Sequence, residues 1–308
     1  MTMIDKVDIF PIGIGGWGLG GFATKDDGVD FAKQTEAVAY SFSRGQNFAE
    51  INQWYAEGMS AKIIRDGLFM SKVNRKDVIL CQSLYVKDKR FESSSEELDK
   101  TLDMFETKFV DILQFTQGVF LQFGYESCKD FLQYALKSGK TKYIGVTNED
   151  LNLLQKLFLD FGKRLISHEV CFNFEVRENE KLGIIPFANK NNIRTVVYQP
   201  LRRNKTFSRN WPLLKTLSQK YLVSENQLII SWLLKKGFIL LTKSTNIEHI
   251  KENLDAKKLN LTEEDFLKID QFLPKGYTSP KIDWSGTGDG VRIDQLSNVI
   301  DGYLENIS

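Results

Sequence analysis

Residues 47–64, NFAEINQWYAEGMSAKII, hold in one short stretch the pattern that decides the fold of this chain. A short apolar run, NFAEI, ends in a polar loop, and a helical pattern begins near Gly58. An apolar run of this length, bounded by turn residues, indicates a buried strand, and the segment after it indicates a helix. The same stretch places Glu50 five positions before Tyr55. These two residues are either an acid/base pair or only the end of a strand and its loop.

The same alternation of strand and helix continues along most of the chain. Seven more apolar runs indicate strands: FPIGIGG (10–16), VILCQSL (78–84), VDILQF (110–115), YIGVT (143–147), HEVCFN (168–173), IRTVVYQP (193–200) and FILLTKS (238–244). Helical patterns lie at 29–44, 58–73, 92–106, 125–138, 149–161, 178–191, 211–235 (one helix or two) and 246–256. Eight strands, each followed by a helix, predict an α/β fold of the closed (β/α)8 TIM barrel type.

The chain is therefore expected to form a single barrel domain over residues 1–308, because such barrels routinely occupy about 250 residues. After the eighth unit, Thr262 is placed to cap one further helix. Residues 274–308 are expected to form a C-terminal extension of loop and helix, with an apolar stripe along 292–305 that docks onto the barrel.

The glycine-rich motif GIGGWG, residues 13–18, also matches the G-x-G-x-x-G pattern of dinucleotide-binding folds. That fold requires a helix that starts at the third glycine and an acidic residue at the end of the next strand. The sequence continues instead with LGGFATKDDGVD, which is rich in turn residues. We therefore expect a strand end and a tight loop at the barrel mouth, with glycines that permit close backbone approach.

The composition favours a small-molecule partner. The chain carries 41 basic and 40 acidic side chains, a net charge of +1, without long runs of one sign, so neither a nucleic-acid surface nor a membrane surface is expected. The three cysteines lack C-x-x-C spacing and indicate reduced thiols, hence a cytoplasmic protein. The two histidines have no metal-site spacing. We found neither a signal peptide nor a membrane-spanning stretch, and the oligomeric state stays open.

In a barrel of this kind, the chemistry lies at the carboxyl ends of the strands and in the loops that follow them. The polar and aromatic residues at those positions are Trp17, Glu50, Ser83, Thr116, Thr147, Asn148, Glu169, Tyr198, Lys243 and Ser244. The mouth loops add aromatic residues that suggest an apolar pocket, namely Trp17, Trp54, Phe120, Phe123, Trp211 and Trp284.

The order of the short motifs resembles the aldo-keto reductase family from about residue 10 to residue 273. The matching pieces are GIGGWGLGG, NFAEINQWYAEGMSAKII, DVILCQSL, VDILQF, SGKTKYIGVTN, ENEKLGIIPFANKNNI, VVYQPL and KSTNIEHIKENLDA. The resemblance implies a barrel that binds NADP(H) in extended form across its mouth, with NAD(H) as an alternative, and transfers hydride to a carbonyl group.

The resemblance also implies a catalytic set, and this chain departs from it. The aspartate of the family corresponds to Glu50 and its tyrosine to Tyr55. Its lysine corresponds to Ser83 and its histidine to Thr116, so only the tyrosine is retained. The catalytic tetrad is therefore degenerate in this sequence.

The cofactor positions that the resemblance implies are better kept. At the nicotinamide end, Thr147 and Asn148 match a Ser-Asn pair, Glu169 replaces a glutamine, and Tyr198 matches the aromatic residue that stacks on the ring. The other cofactor-binding positions that the resemblance implies are Leu201, Arg203, Lys243, Ser244, His249, Glu252 and Asn253. Arg202 lies between the first two of them in the sequence. Among these, Lys243 and Ser244 match contacts of the 2′-phosphate, and His249 takes the place of an arginine.

The missing lysine and histidine change the expected chemistry. Removal of one donor at a developing oxyanion typically costs about 10²- to 10³-fold in rate, so an efficient reductase of the standard kind is not expected. Without a neighbouring cation, a buried Glu50 should have a raised pKa and so remain protonated as the acid, unless it pairs with another cation such as Lys87 or binds a cationic substrate.

The leading hypothesis is an NADP(H)-binding enzyme with altered acid/base chemistry on a small carbonyl or sugar-like substrate. Its alternative is a catalytically silent barrel that senses NADP(H) or serves as a binding subunit. An ordinary reductase with substitute groups is a third hypothesis.

Overall fold

Parallel strands close into a barrel in the computed structural model, which describes residues 3–4, 7–84, 93–204 and 206–272. The barrel strands are β3 (Ile12–Ile14), β4 (Phe48–Ile51), β5 (Ile79–Leu84), β6 (Val110–Thr116), β7 (Thr141–Thr147), β8 (Leu165–Cys171), β9 (Arg194–Tyr198) and β10 (Ile239–Thr242). Each pairs in parallel with its neighbours in chain order, and β10 pairs with β3 to close the barrel. The predicted (β/α)8 barrel is confirmed, and a short hairpin, β1 (Met3–Ile4) and β2 (Val7–Asp8), precedes it.

Helices follow the strands, with bounds close to those predicted. They are α1 (Phe31–Ser43), α2 (Met59–Ser71), α3 (Ser93–Met104), α4 (Gln117–Phe123), α5 (Tyr125–Lys137), α6 (Leu151–Phe161), α7 (Glu178–Lys181), α8 (Ile184–Lys190), α9 (Pro212–Tyr221), α10 (Glu225–Lys235), α11 (Ile247–Asp255) and α12 (Glu263–Asp270). No helix starts at Gly18, and the first one begins at Phe31, so the GIGGWG motif is part of a barrel loop as expected.

Side-chain caps explain where several helices begin. Asp30, Asp150 and Thr262 each accept a hydrogen bond from the backbone N–H three residues later, which satisfies a donor that the first turn leaves open. Ser224 forms a capping box with Gln227 at the start of α10. This cap separates α9 from α10 within the predicted segment 211–235.

Two helix predictions need correction. The segment 178–191 is not one helix but two, because Gly183 adopts a left-handed φ of 79° between α7 and α8. The segment that contains Phe120 and Phe123 is not a loop but α4, which was not predicted.

The barrel interior is apolar at the amino ends of the strands and polar towards their carboxyl ends. Phe48, Ile79, Ile112 and Ile239 belong to one buried cluster. Because successive side chains alternate between the two faces of a strand, residues two and four positions further along these strands also face inward. The registers Ser83↔Gln114 and Thr147↔Glu169 place polar residues side by side in the upper part of the interior.

The three cysteines, Cys81, Cys128 and Cys171, are buried free thiols. The expected C-terminal extension, residues 274–308, lies outside the described residues, as do Lys87 and Trp284.

Candidate active site

Glu50 lies inside the barrel near the end of β4, with a side chain that is only 2% exposed. One carboxylate oxygen, Oε2, accepts a hydrogen bond from the backbone N–H of Gly16 at 3.0 Å. The other, Oε1, is buried without a hydrogen-bond partner within 3.5 Å among the described residues. Burial raises the pKa of Glu50, and the Gly16 N–H and the nearby Tyr55 hydroxyl offset this only in part. Burial therefore favours the neutral form of this carboxyl group more than it would be favoured in an exposed glutamate.

The contact between Glu50 and Gly16 requires a glycine. A Cβ atom at Gly16 would lie 2.9 Å from the backbone oxygen of Glu50 and 3.0 Å from Ser60 Oγ. The Ser60 hydroxyl donates to the Gly16 carbonyl at 2.7 Å and fixes the loop from the other side. The glycine-rich loop thus serves close backbone approach, as the sequence indicates.

Tyr55 begins a single 3-10 turn, Tyr55–Gly58, just after β4. Ala56 and Glu57 in this turn have left-handed φ angles of 50° and 55°, which are uncommon for residues other than glycine. The Trp17 and Tyr55 rings pack in an edge-to-face arrangement, with 4.8 Å between the ring centres. Burial raises the pKa of Tyr55 well above its usual value, and the charges of Glu50 and Glu169 raise it further. The phenol is consequently a weak proton donor.

Gln114, which is not among the residues predicted from the sequence, joins two of the candidate residues. Its Nε2 donates to Ser83 Oγ at 2.5 Å and to Glu169 Oε2 at 2.8 Å. Ser83 thus contacts a neutral amide. A polar residue at an inward position of the apolar run VDILQF was the available signal, but its partners follow only from the register of β5 and β6.

Glu169 is the second carboxylate of the interior, with 5% of its surface exposed. Burial raises its pKa well above the usual value, the charge of Glu50 raises it further, and Gln114 offsets this in part. Among the described residues, no lysine, arginine or histidine forms an ion pair with Glu50 or Glu169. The two acids therefore lie in one low-dielectric interior without a described counter-ion.

His168 precedes Glu169 but lies on the other face of β8. It pairs in register with Val146, which belongs to the core outside the barrel. Its Nε2 accepts a hydrogen bond from the Glu149 N–H at 3.0 Å, and burial lowers its pKa to about 3. His168 is therefore neutral and supplies no charge to the barrel interior.

Three of the residues predicted for the nicotinamide end lie together. The Tyr198 hydroxyl donates to Asn148 Oδ1 at 2.9 Å. Asn148, with a left-handed φ of 58°, donates its N–H to the Glu169 carbonyl at 2.9 Å. Thr147 is 8% exposed, and its Oγ1 has no hydrogen-bond partner among the described residues. A buried hydroxyl without a partner is a site where a ligand group could bind.

A second group of predicted residues lines a cleft beside the start of α11. Lys243, Ser244 and Asn253 are part of its lining. Lys243 Nζ also lies close to Gly18 in the first loop, since a Cβ at Gly18 would be 3.7 Å away. His249 is exposed on α11, and neither His249 nor Glu252 lines this cleft.

The residues predicted to approach a pyrophosphate are partly engaged elsewhere. Arg202 Nη1 lies 2.7 Å from Glu175 Oε2, within a buried network that also contains Thr206 and Arg209. Leu201 packs on the apolar core beside the outer helices. Arg203 lies in the 3-10 turn Arg202–Asn204.

Of the aromatic residues that were predicted to lie at the barrel mouth, some lie there and others are part of the core. Trp17 stacks on Trp54 at 5.9 Å, next to Tyr55. In contrast, Phe120 is 5% exposed and packs against Phe115, so its assignment to a pocket wall is wrong. Phe123 packs on the same core, and Trp211 packs against Phe174 and Phe272.

Within the ranges that the structure describes, no three or more His, Cys, Asp or Glu side chains are grouped so that they could hold a metal ion. A search of the same ranges found no helix with the length and apolar character needed to cross a membrane.

The sequence model of the aldo/keto reductase family matches residues 11–274. The chain is 27% identical over 235 residues to an NADPH-dependent alpha-keto amide reductase of Saccharomyces cerevisiae, and the match covers 72% of each chain. It is also similar to the crystal structure of a thermostable aldo-keto reductase, Tm1743, solved with the inhibitor epalrestat. That match has a TM-score of 0.75 and 25% identity, and covers 85% of this chain and 94% of the other.

The fold also matches an aldo/keto reductase of Klebsiella pneumoniae solved with NADP and acetate. The TM-score is 0.73 at 18% identity, with 88% of this chain and 93% of the other covered.

Proposed function

The chain belongs to the aldo/keto reductase family, and from this premise we propose that it is an NADP(H)-dependent oxidoreductase with altered acid/base chemistry. Its substrate is a small carbonyl or sugar-like molecule bound at the barrel mouth. The observation that carries the proposal is the buried, protonation-prone Glu50 beside Tyr55, next to the strand ends that carry Thr147, Asn148 and Tyr198.

The residues present suit a nicotinamide dinucleotide. The unpartnered hydroxyl of Thr147 and the amide of Asn148 would hold the carboxamide, and Tyr198 would face the ring. Glu169 can accept from the carboxamide NH2. A cation and a hydroxyl, Lys243 and Ser244, stand before the amino end of α11 in the cleft, which suits a phosphate group. NADP(H) is favoured over NAD(H) for this reason, and an NADPH-dependent relative supports it.

The bound cofactor supplies the hydride, and the protein must supply the proton. Glu50 is the better donor, because burial favours its protonated form and because a carboxylic acid is a far stronger acid than a phenol. The raised pKa of Tyr55 makes that phenol a weaker proton donor than the Glu50 carboxylic acid. Ser83 and Gln114 add neutral polar groups where the family has a cation.

Substitution of the two candidate acids tests this assignment. We expect Glu50→Gln to lower kcat for an alpha-keto amide or glyoxal by about 10²-fold or more, because a positioned general acid contributes about 10² to 10⁴. Tyr55→Phe should lower it by a smaller factor than Glu50→Gln does, because the phenol supplies a hydrogen bond and not the proton. The measurement is steady-state NADPH consumption, with exposed Glu36→Gln as the matched control.

A loss in Tyr55→Phe that equals or exceeds the loss in Glu50→Gln would assign proton transfer to the tyrosine instead. Unchanged kcat in both variants would contradict the proposed chemistry altogether.

The second candidate is a silent barrel that binds NADP(H) without turnover. The contact of Ser83 with the neutral amide of Gln114 favours it, since neither group supplies positive charge to a developing oxyanion. It predicts saturable nucleotide binding and no consumption of NADPH with any carbonyl probe.

A further inference from the structure

We propose that His168 is a positioning residue for the nicotinamide end of the cofactor, because its imidazole holds the backbone that carries Asn148. The inference rests on the proposed NADP(H) binding and adds to it a residue that does not itself contact the nucleotide. It is carried by three hydrogen bonds at the carboxyl ends of β7, β8 and β9, which connect His168, Asn148 and Tyr198.

Asn148 follows β7 in a backbone conformation that has to be held in place. Its φ angle of 58° lies in the left-handed region, which is unfavourable for residues other than glycine. The Asn148 N–H donates to the Glu169 carbonyl at 2.9 Å, so the chain is still paired with β8 at this point. The Tyr198 hydroxyl donates to Asn148 Oδ1 at 2.9 Å and orients the side-chain amide. The direction of this amide therefore depends on the backbone of residue 148.

The next backbone N–H, that of Glu149, has a side chain as its acceptor. Helix α6 begins at Leu151 with Asp150 as its cap, so Glu149 lies between the end of β7 and the first turn of the helix. There, His168 Nε2 accepts from the Glu149 N–H at 3.0 Å in a buried contact. A buried backbone N–H that loses its acceptor is costly, so this contact fixes the chain directly after Asn148.

The imidazole of His168 is suited to accept this hydrogen bond. The residue is 1% exposed, and burial lowers its pKa to about 3, so the ring is neutral at neutral pH. A neutral imidazole that accepts at Nε2 carries its proton on Nδ1. Nδ1 is buried without a hydrogen-bond partner in the described part of the chain, which leaves the Glu149 N–H as the polar group that orients the ring.

His168 acts on the site from outside the barrel. It pairs in register with Val146 on β7, and Val146 belongs to the core between the strands and the outer helices. The ring therefore influences the cofactor through the backbone of residues 148–149. Loss of the acceptor should let this backbone relax from the left-handed conformation and turn the Asn148 amide away from the Tyr198 hydroxyl.

Two substitutions of His168 separate the hydrogen bond from the packing. His168→Gln keeps a side-chain oxygen at a distance from the backbone similar to that of Nε2, whereas His168→Leu keeps bulk and removes the acceptor. We expect His168→Leu to raise the Kd of NADPH about 10- to 100-fold, because a buried N–H is left without an acceptor. His168→Gln should bind NADPH nearly as the wild type does. Nicotinamide fluorescence measures both, and equal losses in the two variants, or no loss in His168→Leu, would overturn the inference.

A fragment of the cofactor distinguishes a local effect from a general defect. Adenosine 2′,5′-bisphosphate carries the adenosine and the 2′-phosphate of NADPH but no nicotinamide. Its Kd, measured by calorimetry, should be the same for the wild type and for His168→Leu. A parallel loss of affinity for the fragment and for NADPH would assign His168 a structural role alone and contradict the inference. Absence of NADPH binding by the wild-type protein would instead refute the proposed function, and the inference with it.

Val146→Ala is the matched control for packing beside His168. Val146 is fully buried and lies next to His168 across β7 and β8, so its truncation disturbs the same core without removing the acceptor of the Glu149 N–H. The variant should be less stable than the wild type and yet bind NADPH with unchanged Kd. A loss of NADPH affinity as large as that of His168→Leu would overturn the inference.

A measurement on the wild-type protein tests the inference even if His168→Leu does not fold. The chain contains two histidines, so protein labelled with ¹⁵N at histidine gives two sets of ring signals in NMR spectra, and the set that remains in His249→Gln belongs to His168. We expect the Nε2 signal of His168 to shift on addition of NADPH and to stay in place on addition of adenosine 2′,5′-bisphosphate. A signal that NADPH leaves unchanged, or that shifts equally with both ligands, would overturn the inference.

Discussion

The two buried glutamates are the residues that set this site apart, since their surroundings alter both their ionisation and the stability of the protein. Glu169 has its pKa raised mainly by burial, with Gln114 as its hydrogen-bond donor. A folded state that binds a proton more tightly than the unfolded state gains stability at low pH. That stability is present below the unfolded pKa of about 4.3 and is lost as pH rises towards the folded pKa.

Glu169→Gln should remove this dependence on pH. The amide of the variant stays neutral at every pH, so its free energy of unfolding should increasingly exceed that of the wild type as pH rises above about 4.3. Urea denaturation at a series of pH values measures the difference. The same series with Glu36→Gln should show no such trend, and a flat difference for Glu169→Gln would contradict the buried position of this acid.

Some features of the site could be predicted from the sequence and others could not. Glu50, Tyr55, Thr147 and Asn148 could be placed at strand ends because the motifs carry their own spacing. The bridge formed by Gln114 could not, since Ser83 and Glu169 lie 31 and 55 positions away from it and meet it only through the barrel register. The engagement of Arg202 by Glu175 was hidden for the same reason.

At the scale of elements, the packing of α1 against α2 fixes the segment that carries Tyr55. The turn Tyr55–Gly58 runs directly into α2, and Gly58, with a φ of 89°, precedes its first residue. Within α2, Gly67 allows close approach to α1, because a Cβ there would lie 2.5 Å from Val38 Cγ1. Position 67 therefore tolerates little more than a hydrogen atom.

Gly67→Ala should destabilise the protein by about 1–3 kcal/mol through overpacking. Val38→Ala should cost less in the Gly67→Ala background than in the wild type, because the smaller side chain leaves room for the new methyl group. A double-mutant cycle by urea denaturation measures this coupling. Lys62→Ala, exposed on the same helix, is the control, and additive effects would contradict the proposed contact.

Hydrophobic periodicity and capping residues predicted the strands and helices from the sequence. For most helices, the predicted bounds agree with those in the structure to within a few positions. The exception is α4, because Gln117–Phe123 has only seven residues, follows β6 directly and is too short to show a full amphipathic repeat. The break at Gly183 was also not anticipated, because an isolated glycine in a helical pattern does not reveal its φ angle.

At the scale of the whole molecule, Arg177 connects the last described helix to the barrel. It is 3% exposed and donates to the carbonyls of Ile269, at 2.9 Å, and Asp270, at the end of α12. Its guanidinium lies 4.6 Å from the centre of the Trp232 ring, and Trp232 Nε1 donates to Asp270 Oδ1 at 3.0 Å. One cation thus satisfies the open carbonyls of a helix end.

Arg177→Met should lower the free energy of unfolding by about 2–4 kcal/mol, because it removes the buried guanidinium donors from the carbonyls of Ile269 and Asp270 at the end of α12. Urea denaturation followed by tryptophan fluorescence measures the loss, with exposed Arg44→Met as control. Equal stabilities of the two variants would show that α12 does not depend on this contact.

Whether this barrel binds NADP(H) is measured by a titration with NADPH and with NADH followed by nicotinamide fluorescence. We expect saturable NADPH binding, and Lys243→Ala should weaken it by about 10- to 100-fold with little effect on NADH, since only NADPH carries the 2′-phosphate. Lys251→Ala, exposed on α11 and away from the cleft, should bind both nucleotides as the wild type does. No saturable binding of either nucleotide by the wild-type protein would contradict the account.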